Sequence, residues 1–146
     1  MQAPDFSYTD SDGKQRKLSD LKGRRVVLYF YPKDLTPGCT AEACDFRDNY
    51  VMWQKKGFEV IGISADSEAS HRKFAEKHSL PFPLVADTDK TIIKAYGVWG
   101  PKKFMGRTFD GILRTTFLID AEGRIEDVIT KVDTKASTAQ ILEFLK

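Results

Sequence analysis

At 146 residues, with 41% hydrophobic and 30% charged side chains, the chain has the length of one domain and enough apolar matter to bury a core, which excludes a long disordered tail. Its 23 Lys and Arg against 21 Asp and Glu leave a net charge of +2, too balanced for nucleic acid or an anionic membrane to be the main partner. The longest apolar run, Val26 to Tyr31, is six residues, far short of a membrane span, and Met1 to Asp5 carry no basic-then-apolar leader, so a cytoplasmic location is expected.

No repeat, low-complexity stretch or linker-like shift in composition interrupts the sequence, so residues 1–146 read as a single domain. Near the N-terminus, Phe6 to Tyr8 and Gln15 to Leu18 flank Asp10-Ser11-Asp12-Gly13, an N-terminal hairpin in which Gly13 supplies positive φ. Val26 to Tyr31 is β-branched and aromatic without polar alternation, the pattern of a strand covered on both faces. Cys39, Ala43, Phe46, Tyr50 and Trp53 then recur at spacings of four, three, four and three, one apolar stripe of one helix. Phe58 to Ser64 predicts a second buried strand. Asp66 or Ser67 caps a polar helix running to His78 and stopped by Pro81 and Pro83, with His71 and His78 expected on its solvated face.

Leu84-Val85 reads as a short strand, and Asp89 to Tyr96 as a short helix ending at Gly97. Trp99 and Phe104 are expected to cover a pocket edge or the core. Thr115 to Ile119 and Ile125 to Thr130 flank Asp120-Ala121-Glu122-Gly123 as an antiparallel hairpin. Ser137 and Gln140 stand in capping-box spacing before a last helix that faces Ile141, Leu142 and Leu145 inward. Together these elements predict an α/β fold of the thioredoxin-like kind, a mixed central sheet with helices on both faces.

The chemistry concentrates in Tyr31-Pro32-Lys33-Asp34-Leu35-Thr36-Pro37-Gly38-Cys39-Thr40-Ala41-Glu42-Ala43-Cys44. Thr36 is placed to cap the helix, with Pro37 at its first position. Cys39 then falls in the first turn, where unpaired N–H groups and the helix dipole favour a thiolate. An ordinary thiol is only ~3% ionised at neutral pH, so complete ionisation gains about thirtyfold, and donors that orient a substrate must supply the rest of any fast reaction. Glu42 near the helix start suits the dipole and has no further role at this stage.

Cys44 follows Cys39 by five residues. In an intact helix that offset puts the Cα atoms ~8.7 Å apart, beyond the about 7 Å a disulfide allows, so the pair can bond only if the first turn unwinds. Two cysteines are too few for a disulfide framework, the spacing is not the C-x-x-C of a dithiol oxidoreductase, and two distant histidines complete no zinc finger.

Pro32, Thr36 and Cys39 form P-x-x-x-T-x-x-C, which resembles the peroxiredoxin active-site motif, and the second cysteine five residues on resembles the bacterioferritin comigratory protein, or peroxiredoxin Q, subgroup. Tyr96-Gly97-Val98-Trp99-Gly100, Lys103-Phe104-Met105-Gly106 and Gly111 to Asp120 are similar to the same subgroup. The resemblance implies a thioredoxin fold and a thiol-dependent peroxidase acting on hydrogen peroxide and organic hydroperoxides. It makes Cys39 the peroxidatic cysteine and Cys44 the resolving cysteine of an intramolecular Cys39–Cys44 disulfide, reduced by a thioredoxin-like donor. Thr36 would set its hydroxyl against the thiolate and the peroxide, Pro32 would shield the sulfur, and Arg114, on a strand from Leu113 to Ile119, would stabilise the thiolate and polarise the peroxide. This chemistry requires no metal, haem, flavin or nicotinamide, and a resolving cysteine in the same chain fits a monomer. A thiol–disulfide oxidoreductase or a redox sensor on the same fold is the competing reading.

Overall fold

The computed structural model describes residues 1–10 and 12–145. Its elements begin with β1 (Ser7–Thr9), β2 (Gln15–Lys17), a 3-10 turn (Leu18–Leu21), β3 (Arg25–Phe30), α1 (Pro37–Asp48), α2 (Tyr50–Lys55) and β4 (Phe58–Ser64). They continue with α3 (Glu68–His78), β5 (Leu84–Ala86), α4 (Thr91–Ala95), β6 (Trp99–Phe104), β7 (Arg107–Ile112), β8 (Thr115–Ile119), β9 (Ile125–Ile129) and α5 (Ser137–Phe144).

A strand that is apolar at every position must be covered on both faces, because its side chains alternate. In and just after β3, Val26, Leu28 and Phe30 enter one core, while Val27, Tyr29 and Tyr31 enter the other. β3 sits at the centre of a five-stranded sheet of order β5-β4-β3-β8-β9. It pairs in parallel with β4, which pairs in parallel with β5, whereas β8 runs antiparallel to both β3 and β9. The parallel pairs require crossovers, supplied by α1 with α2 and by α3. Phe46 of α1, Trp53 of α2, Phe74 of α3 and Ile141 of α5 fill one core; Ile93 of α4 joins Phe6, Tyr8 and Leu18 in the other. The thioredoxin-like mixed sheet with helices on both faces is therefore present. Among the described residues no helix is long and apolar enough to cross a membrane.

Several local expectations change. The apolar stripe spans two helices, broken at Asn49, whose side chain donates to the Asp45 carbonyl at 2.8 Å; a short amide that competes for a backbone acceptor ends a helix in this way. Cys39, Ala43, Phe46 and Trp53 remain buried across the break, and Tyr50 is half-buried. β1 and β2 form the expected hairpin with Gly13 at φ +81°, although Ser11 of its turn lies outside the described residues. A second hairpin, β6 with β7, turns through Met105 and Gly106, both at positive φ, as a two-residue loop of matching twist requires. Ser67, not Asp66, caps α3. The capping box of α5 does not form: the Ser137 hydroxyl donates to the Asp133 carbonyl, and Gln140 reaches back to Asp133 and Lys131. Trp99 packs against the first core; the packing expected of Phe104 lies outside the described side chains.

Gly62 of β4 lies opposite Tyr29, and a Cβ there would stand 2.8 Å from Tyr29 Cζ and 2.9 Å from Leu84 Cδ2. Both neighbours are held in the packed core behind α1, so neither can give way freely. Gly62→Ala is expected to lower stability by about 1–3 kcal/mol, read as a lower urea midpoint with an unchanged slope.

Candidate active site

The segment leaving β3 is tied down before it reaches α1. Asp34, 5% exposed, accepts from the Tyr31 hydroxyl at 2.6 Å and the Ser70 hydroxyl at 2.8 Å, and its backbone N–H donates to Asp66 at 2.8 Å. Its Oδ2 also lies 2.7 Å from His71 Nδ1, while His71 Nε2 lies 3.1 Å from the Val85 carbonyl. Both ring nitrogens thus lie within hydrogen-bond reach of an oxygen. Burial alone would raise the Asp34 carboxyl, but the hydrogen bonds from His71 and Tyr31 and the His71 charge outweigh it and hold the group below its ordinary value. Asp34, Asp66 and His71 bring three potential ligand atoms within 4.8 Å of one another. Each carboxylate among them already accepts a protein donor, so the cluster is an anchor for the loop.

His71 is thus not on a solvated face as expected: it is 4% exposed. With Phe74 and His78 it lies at offsets of three and seven along α3, the face that packs inward around Phe74. His78 is half-buried beside Cys44. The polar composition of α3 hid which face this was.

Leu35 follows at φ +63°, a left-handed conformation that costs a residue with a Cβ about 1–2 kcal/mol. Thr36 then adopts the extended N-cap conformation with Pro37 at the first helical position, as expected, but its hydroxyl donates to the Lys33 carbonyl at 2.8 Å and does not cap the helix. Pro32 and Thr36 are both half-buried at the two ends of this loop.

Cys39 enters in the first turn of α1 and is 1% exposed. Its Sγ accepts a hydrogen bond from Arg114 Nη2 at 3.1 Å. Arg114 comes from the connection between β7 and β8, one residue before the strand on which it was expected, because β8 begins at Thr115. The sheet brings together two residues separated by 75 positions. Nη1 of the same guanidinium donates to Glu42 Oε1 at 2.9 Å, and Ser137 Oγ, whose proton goes to the Asp133 carbonyl, lies 3.2 Å from Oε2.

Glu42 is the residue that sequence reasoning passed over. It is fully buried, and burial pushes its carboxyl up to about 7 against the opposing pull of Arg114 and Ser137. Burial also works against the Arg114 charge, yet Cys39 and Glu42 beside it hold the guanidinium above its ordinary value. Two potential anions share one cation, and protonation of Glu42 leaves more of that cation to the sulfur. The signal available in the sequence was the offset of three from Cys39, which puts both on one helix face.

Because Glu42 holds its proton more tightly when folded, its contribution to stability is complete below about 4.5 and is lost as pH rises to about 7. Glu42→Gln stays neutral throughout. The stability of this variant relative to the unsubstituted protein is expected to increase between those two pH values and to level off above them, as urea unfolding at a series of pH values would read.

Cys44 lies further along α1, half-buried, and both cysteines are free thiols. Two surface clefts of about 410 and 540 Å³ lie elsewhere, one beside Ala3, Leu18 and Ile119, the other beside Tyr8, His71 and Val85. Neither is lined by Cys39, Thr36 or Arg114, so the thiol and its cation, not cavity volume, locate the chemistry.

A thiol in the first turn of a helix, held under a guanidinium on a thioredoxin-like sheet, defines a class of thiol-reactive enzyme. The profile of the AhpC/TSA family matches residues 1–128. Peroxiredoxin Bcp of Escherichia coli (strain K12) is 49% identical over 144 residues, covering 99% of this chain and 92% of that protein, and Peroxiredoxin Bcp of Bacillus subtilis (strain 168) is equally similar over the same spans. A solved structure of Xanthomonas campestris peroxiredoxin Q superposes with a TM-score of 0.87 at 37% identity, over 96% of this chain and 89% of that one. Peroxidoxin BcpB of Mycobacterium tuberculosis gives 0.84 at 35%, over 99% and 94%. The chain belongs to the AhpC/TSA family, among its Bcp or peroxiredoxin Q members. It is accordingly a thiol-dependent peroxidase.

Proposed function

We infer that the enzyme reduces hydrogen peroxide and organic hydroperoxides by a two-cysteine cycle within one chain. The observation that carries this reading is the 3.1 Å contact between Arg114 and Cys39 Sγ in the first turn of α1. The Cys39 thiolate attacks one peroxide oxygen; the S–O bond forms, the O–O bond breaks, and the departing oxygen leaves as water or an alcohol after protonation. Arg114 steadies the thiolate and the charge developing on the leaving oxygen. Thr36, with its own proton committed to Lys33, presents lone pairs that accept from the peroxide O–H. Pro32 shields the sulfur from bulk water.

Cys44 then condenses with the Cys39 sulfenic acid, α1 unwinding to let the sulfurs meet, and a thioredoxin-like dithiol reduces the bridge. An X. campestris bacterioferritin comigratory protein, 36% identical with a TM-score of 0.87, is described for its alkyl peroxide reduction activity, which favours organic hydroperoxides among the substrates here. No second subunit is needed for the cycle, so the working form is a monomer, and free thiols fit the cytoplasm. Reduced protein mixed with one equivalent of hydrogen peroxide should lose two hydrogens in mass, mapped to a Cys39–Cys44 bridge. A lasting single-oxygen adduct on Cys39 would keep the first step and remove Cys44 from the second; no change within minutes would overturn the cycle.

A further inference from the structure

Cys44 has a chemical environment of its own. Its Sγ lies 3.8 Å from Nδ1 of His78, in the last turn of α3. The imidazole packs edge-on against Phe74, with ring centroids 5.5 Å apart. Arg47 donates from Nη1 to the His78 carbonyl at 2.8 Å and from Nε to Asp48 at 3.0 Å. Asp48, and Cys44 to a smaller degree, hold the Arg47 guanidinium above its ordinary value. Arg47 is thus a charged group of α1 in contact with the His78 backbone, and Asp48 is held against Arg47.

The half of α1 that carries Cys44 is also pinned to the rest of the fold. Arg47 ties it to α3, and Asp45 accepts from the Thr138 backbone N–H of α5 at 2.7 Å. Closure of Cys39 onto Cys44 must open the helix. Before that opening, Cys44 stands beside the imidazole.

We propose that His78 is the general base of the resolving step, a role that rests on reading Cys44 as the resolving thiol. Nδ1 takes the Cys44 thiol proton. The thiolate attacks the sulfenic sulfur of Cys39; the S–S bond forms, the S–O bond breaks, and the departing hydroxide takes the proton from the imidazolium and leaves as water. The thiol pair supplies both electrons, and the peroxide already consumed is the only oxidant. An ordinary thiol is ~3% ionised at neutral pH, so a base in contact with it can gain at most about thirtyfold.

The test is stopped-flow fluorescence of reduced protein against hydrogen peroxide, in which the first phase scales with peroxide and the second, disulfide closure, does not. His78→Gln is expected to leave the first phase unchanged and to slow the second by about five- to thirtyfold at pH 7. The deficit should shrink as rising pH makes hydroxide available to take the proton without a side-chain base, and free imidazole should restore part of the rate to His78→Gly. An unchanged second phase, or a deficit equal at every pH and unmoved by imidazole, would overturn the proposal and leave His78 a packing residue. Peptide mass mapping of the unsubstituted protein separates the two readings. A Cys39–Cys44 bridge with an unaltered His78→Gln second phase sinks only the base, whereas absence of the bridge sinks the resolving role of Cys44 and the base with it.

Discussion

Replacing Cys39 by serine is expected to abolish peroxide reduction, by about four orders of magnitude or more. The substitution exchanges sulfur for a smaller oxygen in a site that is 1% exposed, and the Arg114 guanidinium 3.1 Å away can donate to a hydroxyl as it does to the thiol. The fold should therefore survive, with circular dichroism and urea midpoint close to the unsubstituted protein. What is lost is the nucleophile, because a hydroxyl does not ionise near neutral pH as a thiol can. Cys44 cannot take over the first step: it lies outside the first turn of α1, and Arg114 is bonded to Cys39 and Glu42. Peroxide consumption with a dithiol reductant in excess reads the result directly. Full turnover in Cys39→Ser would move the chemistry to another residue and overturn the site as a whole.

Arg114→Ala should damage both rate and stability, and the two effects separate by pH. Removing the donor that faces the sulfur is expected to slow the reaction with peroxide by about 10²–10³-fold, the usual cost of one well-placed hydrogen-bond donor to a developing anion. The same truncation leaves Glu42 buried without its cation. Breaking such a pair costs about 3–5 kcal/mol when the orphaned charge must stay charged. Glu42 has an escape, since burial has already pushed its carboxyl up to about 7, and without Arg114 it rises further. At pH 5 the orphan is protonated in the folded state and the loss is small; at pH 8 the folded state must either carry the charge or hold a proton against the solvent, and the loss is large. Arg114→Lys should recover part of the stability and little of the rate, because an ammonium cannot bridge the sulfur and the carboxylate with one planar fork. Competition kinetics for the first step and urea midpoints at the two pH values check both claims. Equal destabilisation at pH 5 and pH 8 would show that Glu42 does not titrate as its burial demands.

The legible part of this molecule was local. Val26 to Tyr31 announces a buried strand because every side chain in it is apolar, Phe58 to Ser64 announces another because only Glu59 and Ser64 interrupt its apolar run, and Pro37 before Cys39 announces a helix start because its fixed φ suits the first helical position. Arg114 had no local signal: its partner is 75 positions away, and only the family resemblance singled it out. Glu42, His71 and His78 misled for the same reason. A charged or polar residue on a helix reads as solvated unless its counter-charge is known, and here Arg114, Asp34 and Cys44 arrive from other elements. The hairpin of β6 and β7 escaped because its exposed strand β7 carries no apolar face, and of the two turn residues held at positive φ, Met105 and Gly106, only the glycine is a turn signal in the sequence. The helix break at Asn49 is a third kind of miss: periodicity continues across it, since a single capping residue interrupts hydrogen bonds without shifting the buried stripe.

The presence of both thiols on one intact helix has a thermodynamic consequence. In a cycle that closes Cys39 onto Cys44, reduction rebuilds the first turns of α1 and oxidation dismantles them, so helix stability is part of the redox couple itself. For a two-electron couple about 1.4 kcal/mol corresponds to about 30 mV. The Thr40 N–H bond to the Thr36 carbonyl, the Glu42 contacts with Arg114 and Ser137, and the burial of Cys39 all hold the reduced form together. In the proposed cycle each would therefore raise the reduction potential and ease recharging by a dithiol. Side chains that never meet the peroxide, Ser137 among them, would then tune how strongly the enzyme draws electrons.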